Sequence, residues 1–134
     1  MDNHDTYVAV LGGPAEVPEL ESALASHGYK LRRTNTKQEL LHTVGKLPVE
    51  LVLLILSKGH PERLALLQEE NVSSGFPPIV VLTDCFDVDL YVEAMNLGAF
   101  DGLCVPLDRK ELLRVVRAAL AEAQSRRKLV AATA

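Results

Sequence analysis

The chain has 134 residues, of which 48% are apolar and 24% charged, with a formal net charge of −4. That make-up fits one globular domain with a single core and excludes a disordered chain. Two cysteines are too few for a disulfide scaffold, the longest apolar run (Leu51 to Leu56) is too short to span a membrane, and the acidic balance argues against direct nucleic-acid binding.

Strand and helix patterns alternate along the chain. Tyr7 to Leu11 reads as the first strand. Pro14 to His27 reads as a helix with Val17, Leu20 and Leu24 on one face, ended by Gly28. The second strand is Tyr29 to Thr34. Thr36 and Glu39 form a capping box that opens a second helix, with Leu40, Leu41, Val44 and Leu47 as its apolar positions. The unbroken run Leu51 to Leu56 suits a central strand covered on both faces. Pro61 suits the first turn of a third helix, with Leu64 and Leu67 inward and an end before Ser73-Ser74-Gly75. Pro78 to Thr83 is the fourth strand. Asp87 can cap a fourth helix that turns Leu90, Tyr91, Ala94 and Met95 inward and ends before Gly98. Phe100 to Val105 is the fifth strand. A second capping box, Asp108 and Glu111, opens the last helix, expected to reach about Lys128.

Five strand–helix units predict a three-layer α/β sandwich. Its five-stranded parallel sheet has the order 2-1-3-4-5, with helices on both faces. Residues 1–122 form the domain, and 123–134 a helical extension or linker. In such sheets ligands sit at the carboxyl ends of the strands. The polar opening Met1 to Asp5 is not a secretory signal, so the cytoplasm is the expected compartment.

The strand ends read Leu11-Gly12-Gly13, Ile55-Leu56-Ser57, Thr83-Asp84-Cys85 and Cys104-Val105-Pro106. Together with Gly98 to Leu103 and the capped helix after Pro106, they resemble the receiver domain of two-component response regulators, over roughly residues 6 to 122. The resemblance implies a CheY-like, flavodoxin-like fold and a phosphorylation site built from five parts. These are an acidic pair that binds Mg²⁺, a phospho-acceptor Asp, a Thr or Ser, a Lys before Pro, and an aromatic inside the fifth strand. In this chain those positions fall at Leu11 and Gly12, Ile55, Thr83, Val105 and Gly102, at the family's usual intervals. Only Thr83 keeps the family's residue type. The resemblance also suggests a cis Val105–Pro106 bond.

The substitutions remove the chemistry. Ile55 has no carboxylate to take a phosphoryl group. Leu11 and Gly12 give Mg²⁺ no hard oxygen ligands, so no cofactor is expected. Val105 cannot neutralise charge, and Gly102 has no ring to swing. Leu11, Ile55 and Val105 are expected to pack together as an apolar plug. A residual polar site would draw on Ser57, Thr83 and Asp84. Thr83 reads as a strand-end hydroxyl bonded to backbone, Asp84 as a loop acid, and Ser57 as lacking a nearby His or Lys base. Gly12-Gly13-Pro14 reads as a tight turn. His4, His27, His42 and His60 lack metal-ligand spacing. Cys85 and Cys104 lie on neighbouring strand ends and read as two reduced, partly buried thiols.

Charge is polarised. Residues 108–128 carry a net +4, whereas 84–107 hold five acids and no Lys or Arg. Asp87, Asp89, Glu93 and Asp101 therefore lie beside Arg109, Lys110, Arg114 and Arg117. In receivers the face formed by the fourth helix, fifth strand and fifth helix is the usual partner surface. The expectation is a non-enzymatic, phosphorylation-independent receiver that binds a protein partner or itself through that face and has no membrane role. In a longer protein a C-terminal output domain is expected. Two rivals stand beside it. One is a receiver still phosphorylated, for example on Asp84, in a phosphorelay. The other is a small-molecule-binding module using Gly12, Ser57, Thr83 and Asp84.

Overall fold

Five strands, β1 (Thr6–Leu11), β2 (Tyr29–Thr34), β3 (Val49–Ile55), β4 (Ile79–Asp84) and β5 (Asp101–Val105), pair in parallel in the order β2-β1-β3-β4-β5. This is the expected sheet. The computed structural model describes residues 6–13, 16–57, 59–70 and 75–133, with side chains as far as Arg126. His4, Pro14, Ser73 and Ser74 lie outside the described residues. Among the described residues no helix is long and apolar enough to cross a membrane.

The continuous apolar run of β3 follows from burial on both faces. Successive side chains alternate between two core layers. Val8, Val10, Leu53, Ile55 and Leu82 meet Leu20, Leu112 and Val116 on one face. Ala9, Leu11, Leu54 and Val81 meet Leu40, Leu66, Leu67 and Ala94 on the other. The first layer lies under α1 (Leu20–Ala25) and α5 (Arg109–Thr133). The second lies under α2 (Lys37–Lys46), α3 (Glu62–Glu70) and α4 (Val88–Asn96).

Several helix boundaries differ from the sequence reading. Helix α1 is far shorter than Pro14–His27. Pro18 has no N–H to donate and disfavours a helical residue before it, so regular helix starts only at Leu20. Val17 is buried all the same, from a turn. Thr36 does cap α2 by accepting from the Glu39 N–H, but the Glu39 carboxylate accepts from the Asn35 N–H and the Thr36 hydroxyl, not from the Thr36 N–H. The second box is also incomplete. Asp108 accepts from Lys110 N–H, while Glu111 is held by Arg114. Asp87 caps α4 as expected, accepting from Leu90 N–H. In α3 the buried side chains are Arg63, Leu66 and Leu67, with Leu64 only partly covered. Helix α5 continues to Thr133, and Arg126 Nη1 donates to the Phe76 carbonyl at 3.1 Å, so its far half still touches the strand layer's rim. The Val105–Pro106 bond is cis.

Candidate functional site

At the mouth between β1 and β3, the register pairs Leu11 with Leu54. The next residues, Gly12 and Ile55, are therefore neighbours. Gly12 has φ +144°, and a Cβ there would lie 2.6 Å from Ile55 Cδ1. Ile55 occupies the space that any side chain on residue 12 would need.

The plug expected from Leu11, Ile55 and Val105 does not form as one cluster. Ile55 and Val105 belong to the layer under α1 and α5, and Leu11 belongs to the opposite layer. The pleat explains this, because Leu11 shares a face with its partner Leu54 and not with Ile55. The space between is closed by charge. Arg63, only 4% exposed, reaches from α3 to the end of β3. Its Nη1 donates to the Ile55 carbonyl at 2.9 Å and to Glu16 Oε1 at 2.8 Å, and its Nη2 donates to Glu16 Oε2 at 3.3 Å. Glu16 Oε2 also accepts from Gly13 N–H at 2.7 Å. Burial alone would raise the Glu16 pKa. The Arg63 guanidinium and the Gly13 amide outweigh it and hold that carboxyl below the ordinary 4.5. A second guanidinium, Arg33 of β2, donates to the carbonyls of Gly12 and Val17 and so braces the same loop.

These residues do not fit Mg²⁺. The ion needs an octahedral set of hard oxygens. Leu11, Gly12 and Ile55 offer no side-chain oxygen, the Ile55 carbonyl already accepts from a cation, and the nearby carboxylate is spent on Arg63. Among the described residues no group of three or more His, Cys, Asp or Glu could hold a metal.

At the mouth between β4 and β5, Thr83 is 1% exposed. Its Oγ1 has no hydrogen-bond partner among the described residues, so the expected bond to backbone is absent. Thr83 lines a cavity of about 300 Å³ together with Tyr91, Gly102 and both cysteines. The Tyr91 ring, from α4, lies directly over Gly102. A Cβ on Gly102 would fall 2.4 Å from Tyr91 Cε2. The aromatic that the resemblance puts on the fifth strand is thus replaced in space by one on α4. Asp84 is exposed and accepts from Phe86 N–H at 2.8 Å, which shapes the turn into α4.

Ser57, Thr83 and Asp84 do not share one site. Asp84 borders Thr83's cavity and also a separate open cleft of about 570 Å³ that holds Ser57. His60 lines a neighbouring cleft with Ser57, its Nδ1 3.2 Å from Glu62 Oε2. Cys85 and Cys104 are both free and exposed, not partly buried; Cys104 lies on the edge strand β5 and Cys85 in the turn after β4.

The charged face is partly satisfied within the chain. Asp87 is spent on its cap and Asp101 accepts from Gly102 N–H. Arg114 makes two hydrogen bonds to Glu111, whose carboxylate raises the Arg114 pKa with Asp101 adding to it. Asp89, Glu93, Arg109, Lys110 and Arg117 remain exposed. Among these charges stand three exposed apolar side chains, Phe86 (95%), Val88 (63%) and Val92 (47%). Sequence reasoning missed them, although Val88 and Val92 sit four residues apart and so share one helix face. It also missed Glu16 and Arg63. The available signal was an arginine in step with the inward stripe of Leu66 and Leu67.

No protein-family model matches the chain. In sequence it is similar to the regulatory protein AtoC of Escherichia coli, 28% identical over 75% of this chain and 22% of AtoC. It is similar also to the transcriptional regulatory protein ZraR of Escherichia coli, 29% identical over 79% of this chain and 24% of ZraR. The chain thus spans less than a quarter of the length of these relatives. In structure it resembles the N-terminal signal receiver domain of a response regulator from Bacteroides fragilis, with a TM-score of 0.74, 25% identity, and coverage of 87% of this chain and 96% of that one. Sequence relatives and fold together support a receiver-type, CheY-like domain of response regulators.

Proposed function

We propose that this domain is a receiver that works without phosphorylation, as an interaction or dimerisation module in signal transduction or transcriptional control. The observation that carries the reading is the Arg63 guanidinium on the Ile55 carbonyl. It puts a fixed protein cation, paired with Glu16, at the strand end where the resemblance expects an acceptor carboxylate and its metal. Leu11, Gly12, Ile55, Gly102 and Val105 are read as the vacated positions, and Thr83 as the survivor. The domain acts by binding and not by catalysis, in the cytoplasm, with no Mg²⁺ or other cofactor. AtoC and ZraR extend far beyond the matched part, which fits a C-terminal output domain as the recipient of the signal.

Beryllofluoride with Mg²⁺ mimics an acyl phosphate on a receiver. Added to the full chain, it is expected to leave the amide NMR spectrum unchanged. Specific shifts at Ile55 and Thr83 would overturn the proposal. Shifts confined to Asp84 to Asp87 would favour phosphorylation on Asp84 instead.

The partner surface in this reading is the face of α4, β5 and α5. Phe86, Val88 and Val92 supply its apolar centre, with Asp89 and Glu93 on one side and Arg109, Lys110 and Arg117 on the other. Across a two-fold axis, one subunit's acids would meet its mate's bases. Light scattering at high protein concentration is expected to give a dimer that weakens in high salt and dissociates on Phe86→Ser. That residue is nearly fully exposed, so its loss should change folding stability by no more than about 0.5 kcal/mol. A monomer under all conditions would refute self-association.

A further inference from the structure

We propose that Cys85 and Cys104 are a redox-active dithiol, which hydroperoxides convert to a disulfide joining the β4–α4 loop to β5. The geometry comes from the strand register. Thr83 pairs with Cys104 and Asp84 with Val105, and Cys85 extends the ladder by donating its N–H to the Val105 carbonyl at 3.4 Å. This places Cys85 two residues past Thr83, the partner of Cys104, and both cysteines line one cavity. Both thiols are free and solvent-exposed. Two thiols on adjacent chain segments, facing one cavity, can reach the geometry of a disulfide through a movement of the loop that carries Cys85. Solvent access admits the oxidant.

The reaction balances with one molecule of hydrogen peroxide. The sulfur of one cysteine, as thiolate, attacks a peroxide oxygen. The O–O bond breaks, the leaving hydroxide takes up a proton as water, and a sulfenic acid remains. The second thiol's sulfur attacks the sulfenic sulfur. The S–O bond breaks, the S–S bond forms, and the departing hydroxide takes the second thiol proton as water. Two thiols are oxidised and one peroxide is reduced to two waters. The Cys104 hydrogen bond, burial and the Asp84 charge push the Cys85 thiol up, so the thiolate is scarce and this pair answers to sustained oxidant.

The consequence is local. Cys85 adjoins Phe86, which is almost fully exposed, so a disulfide would fix the loop that presents it. The dithiol chemistry depends only on the placement of the two sulfurs and stands apart from the proposed function.

The test is hydrogen peroxide on the dilute, reduced full chain, read by intact mass spectrometry and non-reducing peptide mapping. The expected product is a monomer lighter by two hydrogen atoms, with the Cys85 and Cys104 peptides joined, no free thiol left, and full reversal by dithiothreitol. Cys85→Ser and Cys104→Ser should each fail to lose two hydrogens and should gain oxygen on the remaining sulfur. Wild-type chains that only gain oxygen, or that join through intermolecular disulfides, would overturn the proposal. Either result leaves the beryllofluoride experiment untouched.

Discussion

Glu16→Ala is expected to lower folding stability by about 3 kcal/mol, because it strands the Arg63 guanidinium in a site only 5% exposed. Arg63→Met is expected to cost less, about 1–2 kcal/mol. It removes a hydrogen bond to the Ile55 carbonyl, but the Glu16 it leaves behind is 28% exposed and can be hydrated. Losing both charges leaves no stranded ion, so the Glu16→Ala/Arg63→Met double variant should be more stable than Glu16→Ala alone. Urea unfolding of the four proteins gives the coupling, and additive single losses would mean that the pair does not act as a unit. The pH dependence has a defined sign. Glu16 has a depressed folded pKa, so its contribution is fully present above the ordinary value of 4.5 and is lost as pH falls through the lower folded value. The stability gap between wild type and Glu16→Gln should therefore be constant near neutrality and shrink in acid.

The fold was legible because alternation of strand and helix patterns sets the sheet almost alone. The unbroken run at Leu51 to Leu56 marks the centre, and the half-exposed β2 marks an edge. Local chemistry placed the caps at Thr36 and Asp87. It failed at α1, where Pro18 outweighs the periodicity of Val17, Leu20 and Leu24. The site was legible only by subtraction. The sequence tells which charged residues are missing from the strand ends, but not what fills the space. Glu16 and Arg63 are 47 residues apart and meet only because β1 and β3 are adjacent. The plug failed for a related reason. Position at a strand end does not say which face a side chain takes, and a one-residue difference between Leu54 and Ile55 reverses it.

The contact of Tyr91 with Gly102 leads to the second large effect. Gly102→Ala would place a methyl carbon 2.4 Å from Tyr91 Cε2, 2.9 Å from Cδ2 and 3.3 Å from Val81 Cγ2. Val81 is fixed in the central core, so the Tyr91 ring must move. Overpacking of this kind is expected to cost about 1–3 kcal/mol. Tyr91→Ala removes the obstacle, so adding Gly102→Ala to that variant should cost almost nothing further. A cost for Gly102→Ala that is independent of residue 91 would mean the ring is not what fills the slot. The arrangement bears on function through α4. This ring belongs to the helix that also carries Val88 and Val92, so a change in its packing against β5 is felt on that helix. Gly102→Ala should therefore shift the amide resonances of α4 and weaken the dimer seen by light scattering. The effect should exceed that of Glu16→Ala at equal residual stability, since the latter perturbs a loop on the far side of the sheet mouth.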